Sequence, residues 1–268
     1  MPFYNGAMTN LFEAAGLEKG APRPLADRLR PRTPAEVTGQ DHLVGSDGKL
    51  TRLLKGGRLP SLILWGPPGC GKTTIARLLA GETNLIFEQL SAIFSGVQDL
   101  RKAFDKARVN REQGRGTLLF IDEIHRFNRS QQDSFLPHVE DGTITLVGAT
   151  TENPSFELNA ALLSRAIVLT LNRLDDAALE GLLQRAEDEM GRKLPLDDDA
   201  RDALVQMADG DGRAILNLAE DVFATVSEGV MPIGREELVR LVQRRAPIYD
   251  KSREGHYNLI SALHKSVR

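Results

Sequence analysis

The sequence has little of several residue types, and each shortage excludes a class of protein. Cys70 is the only cysteine among 268 residues, so the chain has no internal disulfide and no zinc site made of several of its own cysteines. No run of about 18 apolar residues is present, which argues against a membrane partner. The formal net charge of -3 excludes a polybasic protein coated by nucleic acid but permits a local basic patch. A reducing cytoplasm fits this composition.

The first 21 residues show no sustained periodicity and contain no basic segment followed by an apolar run. Residues 1–21 therefore predict a mobile leader and not a signal peptide. Within it, Asn10-Leu11-Phe12 is either a docking tag for a sliding clamp or simply a mobile apolar stretch, and we favour the second interpretation.

Short apolar runs alternating with helical stretches predict an α/β fold with a parallel sheet covered on both faces. After residue 171 the strand signals stop and helical spacing with acidic starts predicts a small bundle. We expect a sheet domain at 22–171, a helical domain at 172–245, and at 246–268 the start of a further domain that is cut short. The predicted strands are 62–65, 85–87, 118–121, 144–147 and 167–169, and the predicted helices include 74–80, 175–190, 197–207, 213–227 and 235–244.

The most specific motif follows the first predicted strand and fits the spacing G-x-x-x-x-G-K-[ST] of a phosphate-binding loop. Its glycines let backbone N–H groups face phosphate oxygens, and the helix that follows adds its positive end. Lys72 is expected on the β and γ phosphates of ATP, and the Thr73 hydroxyl on Mg²⁺. The predicted nucleotide-binding residues are Gly66, Pro67, Pro68, Gly69, Cys70, Gly71, Lys72, Thr73 and Thr74.

An acidic pair follows the apolar run at 118–121, where open α/β sheets bind ligands. Asp122 is expected to hold Mg²⁺ and Glu123 to orient the attacking water, a role that a hydrolase needs and a kinase does not. His125 is a second candidate base, but we favour a residue that merely begins a helix, since Glu123 already fills that role. Cys70 permits a redox role; a filler is favoured, because only the backbone is needed there.

Three further polar residues complete the predicted site. Gly148-Ala149-Thr150-Thr151-Glu152-Asn153 comes directly after an apolar strand, and we choose Thr151 over Thr150 as the hydroxyl that senses the γ-phosphate. Arg165 and Arg213 lie further along the chain. One arginine is expected to complete the site from its own chain and the other from a neighbour, although isolated arginines are usually surface charges.

Taken together, GPPGCGKT, FIDEIHRF, GATTEN, LLSR and GDGRAILN resemble the AAA+ superfamily, in its clamp-loader branch. Longer stretches such as HVEDGTITLVGATTENPSFELNAALLSR and HYNLISALHKSVR are similar to the family of replication-associated recombination protein A, which is related to the Werner helicase-interacting proteins. The similarity runs from about Leu25 to the last residue.

That resemblance implies a five-stranded P-loop NTPase sandwich followed by a helical lid, with ATP between them. It implies that Arg165 is an arginine finger given to a neighbouring subunit, that Arg213 is the second sensor and Thr151 the first, and that Arg28 to Gln40 packs around the adenine. It further implies action on forked or gapped DNA, association with single-stranded-DNA-binding protein, a nucleoid-associated location, and homo-tetramers assembled through a C-terminal domain.

Two basic clusters give DNA binding weaker support from the residues themselves. Arg101, Lys102, Lys106 and Arg108 share one predicted helix, and Arg126 and Arg129 follow the acidic pair. Such groups neutralise phosphates without reading sequence. The alternative is a solvated helix face laced by carboxylates such as Asp99 and Asp105, which the residues alone favour.

Two other functions remain open on the sequence. A protein remodeller would use an aromatic residue after the second strand, and Phe94-Ser95-Gly96 lies there, although Ser95 stands where such proteins prefer a bulky apolar residue. A phosphoryl-transfer kinase fits the phosphate loop but leaves Glu123, Arg165 and Arg213 without roles.

Overall fold

Five parallel strands form one sheet in the order β2-β3-β4-β1-β5, as the computed structural model shows. The structure describes residues 23–57, 59–226 and 231–245, so the predicted leader and the stretch at 246–268 lie outside the described residues. The parallel sheet confirms the α/β prediction. The strands are β1 (Leu62–Trp65), β2 (Ile86–Ser91), β3 (Thr117–Asp122), β4 (Thr145–Thr150) and β5 (Ile167–Thr170).

Alternate side chains of the central strands enter two separate hydrophobic cores. Leu62, Leu64 and Phe120 pack on one face of the sheet, whereas Ile63 and Leu119 pack on the other. Successive side chains of a strand point to opposite faces, so a strand that is apolar throughout is stable only where both faces are covered. This explains why the continuous apolar runs of the sequence fold as central strands.

Strand β4 is longer at its carboxyl end than the apolar run predicts. It pairs with β1 as far as Trp65 and Thr150, so Gly148 to Thr150 belong to the strand and not to the loop after it. Gly148 is required there by close packing, because a Cβ at this position would lie 2.9 Å from methyl carbons of both Ile63 and Ile124. Small residues within a strand were therefore a sign of close packing and not of a turn.

Helices cover both faces of the sheet and connect its strands. α4 begins at Lys72, two residues before the predicted start, and α5 follows β2 after a cap in which the Asp99 carboxylate accepts from Gly96 N at 3.0 Å. The helices before residue 171 are α1 (Leu25–Arg28), α2 (Asp41–Val44), α3 (Lys49–Lys55), α4 (Lys72–Glu82), α5 (Val97–Glu112), α6 (Arg129–Asp133), α7 (Leu136–Glu140), α8 (Pro154–Glu157) and α9 (Ala160–Leu163).

Four further helices form the bundle predicted after residue 171. Asp175, Asp197 and Asp211 each cap a helix by accepting from backbone N–H groups, which is the physical basis of the acidic starts seen in the sequence. None of the helices that the structure describes is long and apolar enough to cross a bilayer. These helices are α10 (Asp176–Met190), α11 (Asp198–Ala208), α12 (Gly212–Thr225) and α13 (Arg235–Arg245).

The core of the helical bundle includes residues from the start of the described chain. Leu25 and Leu29 are buried among residues of α10, α11 and α12, and Leu25 N donates to Glu220 Oε1 at 3.1 Å. Residues before the sheet thus pack with helices that follow it. The division at residue 171 stays a prediction.

One ion pair inside the bundle has an unusually buried carboxylate. Glu187 is 4% exposed and accepts from Leu194 N at 2.9 Å and from Arg201 Nη1 at 2.7 Å. Glu180 also pairs with Arg201 at 2.6 Å, from a more exposed position. Removing Glu187 would leave a backbone donor and a partly buried cation without their common partner.

We expect Glu187→Ala to lower the free energy of unfolding by about 3 kcal/mol, since it breaks a buried pair on one side only. Glu189→Ala, which removes an exposed pair with Arg28, is the control and should cost less than about 1 kcal/mol. Urea denaturation of both variants measures the difference. Equal losses would show that Arg201 is satisfied by Glu180 alone.

Candidate active site

A cavity of about 210 Å³ lies between the carboxyl edge of the sheet and the helical bundle. The loop after β1, the end of β3 and the start of α12 all contribute to its walls. The lining residues are Ala26, Leu29, Arg30, Pro31, Val37, Thr38, Pro68, Gly69, Cys70, Gly71, Lys72, Thr73, Thr74, Asp122, Glu123, Leu174, Leu182, Gly212, Arg213 and Leu216.

The predicted phosphate loop connects β1 to α4 at this edge. Gly71 has φ +100°, a conformation that L side chains rarely adopt, and it stands immediately before the first turn of the helix. Lys72 begins α4 and is 8% exposed, while its Nζ donates to Gly66 O and Pro67 O at 2.7 Å each. The ammonium group is thus held inside the curve of the loop, beside unpaired N–H groups of the helix start.

Cys70 is buried beneath the loop and does not face the cavity as a reactive group. Its side chain is 2% exposed, and burial raises the pKa of the thiol above its usual range, which disfavours the thiolate. Gln40, fully buried, holds the same region, because its amide exchanges two hydrogen bonds with the backbone of Asn172 at 2.8 and 3.0 Å. The packing agrees with our interpretation of Cys70 as a filler.

The acidic pair lies at the end of β3 on the floor of the cavity. Asp122 is the last residue of the strand, and Glu123 follows with φ 53°, a left-handed conformation that is uncommon outside glycine. This backbone bend places both consecutive side chains in the cavity lining. Successive residues of a straight strand would face opposite sides of the sheet.

Two polar side chains lie behind Glu123. His125 belongs to a short 3₁₀ turn at Ile124–Arg126, and its Nδ1 is 2.9 Å from Thr150 Oγ1 and 3.3 Å from Glu123 Oε2. The sequence interpretation of His125 as a residue that merely begins a helix therefore missed these contacts. Thr150 is fully buried, whereas Thr151 is partly exposed and its hydroxyl has no hydrogen-bond partner in the described part of the chain.

The structure places the two predicted arginines differently. Arg213 opens α12 and lines the cavity, with an exposed side chain that pairs with no carboxylate among the described residues. Arg165 does not line it. Its Nε donates to Glu140 Oε1 at 2.6 Å and its Nη1 to Ala161 O at 2.8 Å, on an exposed surface after α9.

Several lining groups carried no sequence signal. The carboxylate of Asp211, which caps α12, lies against Gly69 of the phosphate loop, so the bundle touches the loop directly. Leu174, Leu182 and Leu216 supply an apolar wall from three places in the chain. Leucines at helical spacing are indistinguishable from ordinary core residues until the fold shows which of them border a cavity.

Comparison with known proteins follows this geometry. Residues 62–173 match the model of the ATPase family associated with various cellular activities (AAA), and residues 190–268 match that of an AAA C-terminal domain. The chain belongs to the AAA ATPase family. The cavity of this AAA chain is therefore a nucleotide-binding site, with the loop at Gly66–Thr73 in the expected place.

Relatives and solved structures agree with that assignment. The chain is 47% identical over 254 residues to replication-associated recombination protein A of Escherichia coli K12, covering 92% of this chain and 57% of the relative. It is 45% identical to the protein of that name from Haemophilus influenzae, covering 91% and 56%. RuvB of Thermotoga maritima, titled a Holliday junction branch migration motor, superposes with a TM-score of 0.65 at 28% identity, over 81% of this chain and 72% of that one. The chain spans a little over half the length of these recombination relatives.

The residues present fit a nucleoside triphosphate. The loop is open around Gly71, where a Cβ would meet no other atom within 4 Å, and Lys72 supplies a buried cation for phosphate. Within the described part of the chain, no three His, Cys, Asp or Glu side chains come together as a metal site. A magnesium ion here would take most of its ligands from phosphate oxygens and water.

Lys72→Ala should reduce nucleotide affinity by at least about tenfold, since it removes the buried cation of the loop. Titration of a fluorescent ATP analogue measures it. Lys55→Ala, at an exposed position in α3, is the matched control and should bind like the parent chain. An unchanged affinity in Lys72→Ala would mean that the nucleotide binds elsewhere.

Proposed function

We propose that this chain binds ATP with Mg²⁺ in the cavity and hydrolyses it, as the motor part of a DNA-associated factor in replication-fork maintenance, recombination and repair. The observation that carries the proposal is that Lys72, Thr73, Asp122, Glu123 and Arg213, from four separate segments, line one cavity. Bound Mg²⁺ would neutralise charge on the phosphates and so favour attack at the γ-phosphorus.

Each side chain has a distinct task in this proposal. Lys72 binds phosphate oxygens, while Thr73 and Asp122 hold the metal with oxygen ligands. Glu123 orients the attacking water and accepts its proton, and Thr151, whose hydroxyl is free, senses the γ-phosphate. Arg213 closes the site from the bundle. These positions follow the order of the same groups in P-loop ATPases.

Arg165 is proposed to serve the site of a neighbouring copy. It lies on the surface and outside the cavity lining of its own chain, where it is held by Glu140. An arginine that reaches phosphate from another subunit stabilises the charge of the transition state. A homo-oligomer, a tetramer by the resemblance, follows from this role.

Mixing two inactive variants tests the shared site. Glu123→Gln and Arg165→Ala should each retain nucleotide binding and lower hydrolysis, by about 10³-fold for the arginine. Combined in equal amounts they should regain part of the activity, because some interfaces then unite an intact Glu123 with an intact Arg165. Steady-state phosphate release at rising protein concentration measures this. A mixture no faster than its components would refute a site shared between subunits.

The DNA part of the proposal rests on a groove beside the acidic pair. Arg101 of α5 lines it from one side, with Ser130 and Gln131 of α6 on the other, and Arg129 is adjacent in sequence. Arg101, Arg126 and Arg129 are exposed and form no ion pair among the described residues. They are free to neutralise phosphates of a nucleic-acid backbone.

The rest of the predicted basic cluster supports DNA binding less. Lys106 pairs with Glu88 at 3.3 Å, Arg108 with Asp105 at 3.4 Å, and Lys102 lies 3.8 Å from Asp99. These are exposed pairs, as the solvated-face alternative predicted for this helix. The DNA contacts in our proposal are therefore assigned to Arg101, Arg126 and Arg129.

Partners beyond DNA come from the relatives and the resemblance. Single-stranded-DNA-binding protein and a nucleoid-associated, cytoplasmic location complete the proposal by analogy with proteins named for replication-associated recombination. A polypeptide substrate is the second candidate, because Phe94, after β2, is 85% exposed. Ser95 beside it weakens that candidate.

Hydrolysis in the presence of different substrates separates the two functions. We expect forked or gapped DNA to stimulate phosphate release and an unfolded polypeptide to have no effect. The double variant Arg101→Glu, Arg129→Glu should lose the stimulation and lower the salt dependence of DNA binding by about one unit of slope per phosphate contact. Arg235→Glu, on α13, is the charge-matched control. Stimulation by polypeptide alone would reverse the assignment.

A further inference from the structure

Glu123 is held in an unusual way for a group that must orient water. Its φ of 53° is left-handed, and Oε2 is buried without a hydrogen-bond partner in the described part of the chain. An unpaired buried carboxylate oxygen is costly, because it has lost water without gaining a donor. The nearest donor atom given for it is Nδ1 of His125, at 3.3 Å.

His125 lies behind Glu123 and not in the cavity. The side chain is 7% exposed, and His125 is absent from the cavity lining, so its ring does not reach the nucleotide site. Its Nδ1 lies between two acceptors, the carboxylate of Glu123 and the hydroxyl of Thr150, which is closer at 2.9 Å. His125 thus acts through these groups and not on substrate.

The hydrogen bonds of Thr150 indicate which way the imidazole donates. Thr150 Oγ1 accepts from Glu152 N at 3.0 Å and faces Glu152 O at 3.2 Å, to which it donates. With its single proton used, the hydroxyl can take part with His125 only as an acceptor. Nδ1 therefore carries a proton, and that N–H is the donor closest to the unpaired oxygen of Glu123.

We propose that His125 is a positioning residue, whose Nδ1–H is shared between Thr150 and Glu123 and fixes the direction of the Glu123 carboxylate. This inference rests on the proposed function, in which Glu123 orients the attacking water. Thr150 ends β4 and immediately precedes Thr151, so a displacement of this strand end shifts the donor towards or away from Glu123. The strand end and the carboxylate are thereby linked through one imidazole.

Kinetics of three His125 variants test the positioning role. His125→Leu removes the donor and should lower kcat by about 10- to 100-fold, the loss expected for one hydrogen bond to a charged group, with nucleotide affinity within about twofold of the parent. His125→Asn keeps a side-chain amide donor near the position of Nδ1 and should recover most of that loss. His138→Asn, a histidine on α7 that stacks on Phe104, is the control and should leave kcat unchanged.

Nitrogen-15 NMR of the imidazoles supplies a readout that needs no hydrolysis. The chain has five histidines, so the spectrum of ring-labelled protein is simple enough to assign by substitution. The His125 signal should show a protonated Nδ1, and that signal should shift in Thr150→Val and in Glu123→Gln but not in His138→Asn. The measurement is made on the whole chain without nucleotide.

The two readouts separate failure of the inference from failure of the proposed function. A parental kcat in His125→Leu, or an unprotonated Nδ1, would overturn the positioning role. If Glu123→Gln hydrolysed ATP normally, the proposed function would fail, whereas the imidazole spectrum would still decide whether the three side chains share the proton. Equal losses in His125→Leu and His125→Asn, with weakened nucleotide binding in both, would reduce His125 to a structural residue.

Discussion

Burial of both faces of the parallel sheet is the constraint on which the rest of this structure depends. Because β1, β3 and β4 send alternate side chains into two cores, none of them can shift by one residue without exposing an apolar face. Parallel strands with a fixed register bring their carboxyl ends to one edge. The phosphate loop after β1, the carboxylates after β3 and the threonines at the end of β4 meet there for that reason.

The helical bundle converts this edge into an enclosed cavity. Asp211 lies against Gly69, and Gln40 joins the region before the sheet to Asn172, at the entrance of the bundle. The two parts of the chain are therefore connected where the nucleotide binds. A ligand between them contacts both and can favour one relative arrangement over another, which is how binding energy becomes motion in a two-part protein.

Polar groups behind the site are as closely arranged as those in it. The unpaired oxygen of Glu123, the Nδ1 of His125 and the hydroxyl of Thr150 form a short series from the cavity floor to the end of β4. Arg165 shows the opposite arrangement, since Glu140 holds it on an exposed surface away from its own cavity. A site with its own water-orienting carboxylate but a distant arginine is consistent with completion by a second copy.

The sequence by itself determined the α/β fold, the phosphate loop and the acidic pair, because each depends on local pattern: apolar runs, glycines at fixed spacing, and charged residues at strand ends. It also gave acidic helix caps, which act within three residues. Only the tertiary structure decided that β4 extends to Thr150, that Gly148 serves close packing, and that His125 contacts both Glu123 and Thr150. These features join residues distant in sequence, and their partners are set by strand order and packing, which no local pattern records.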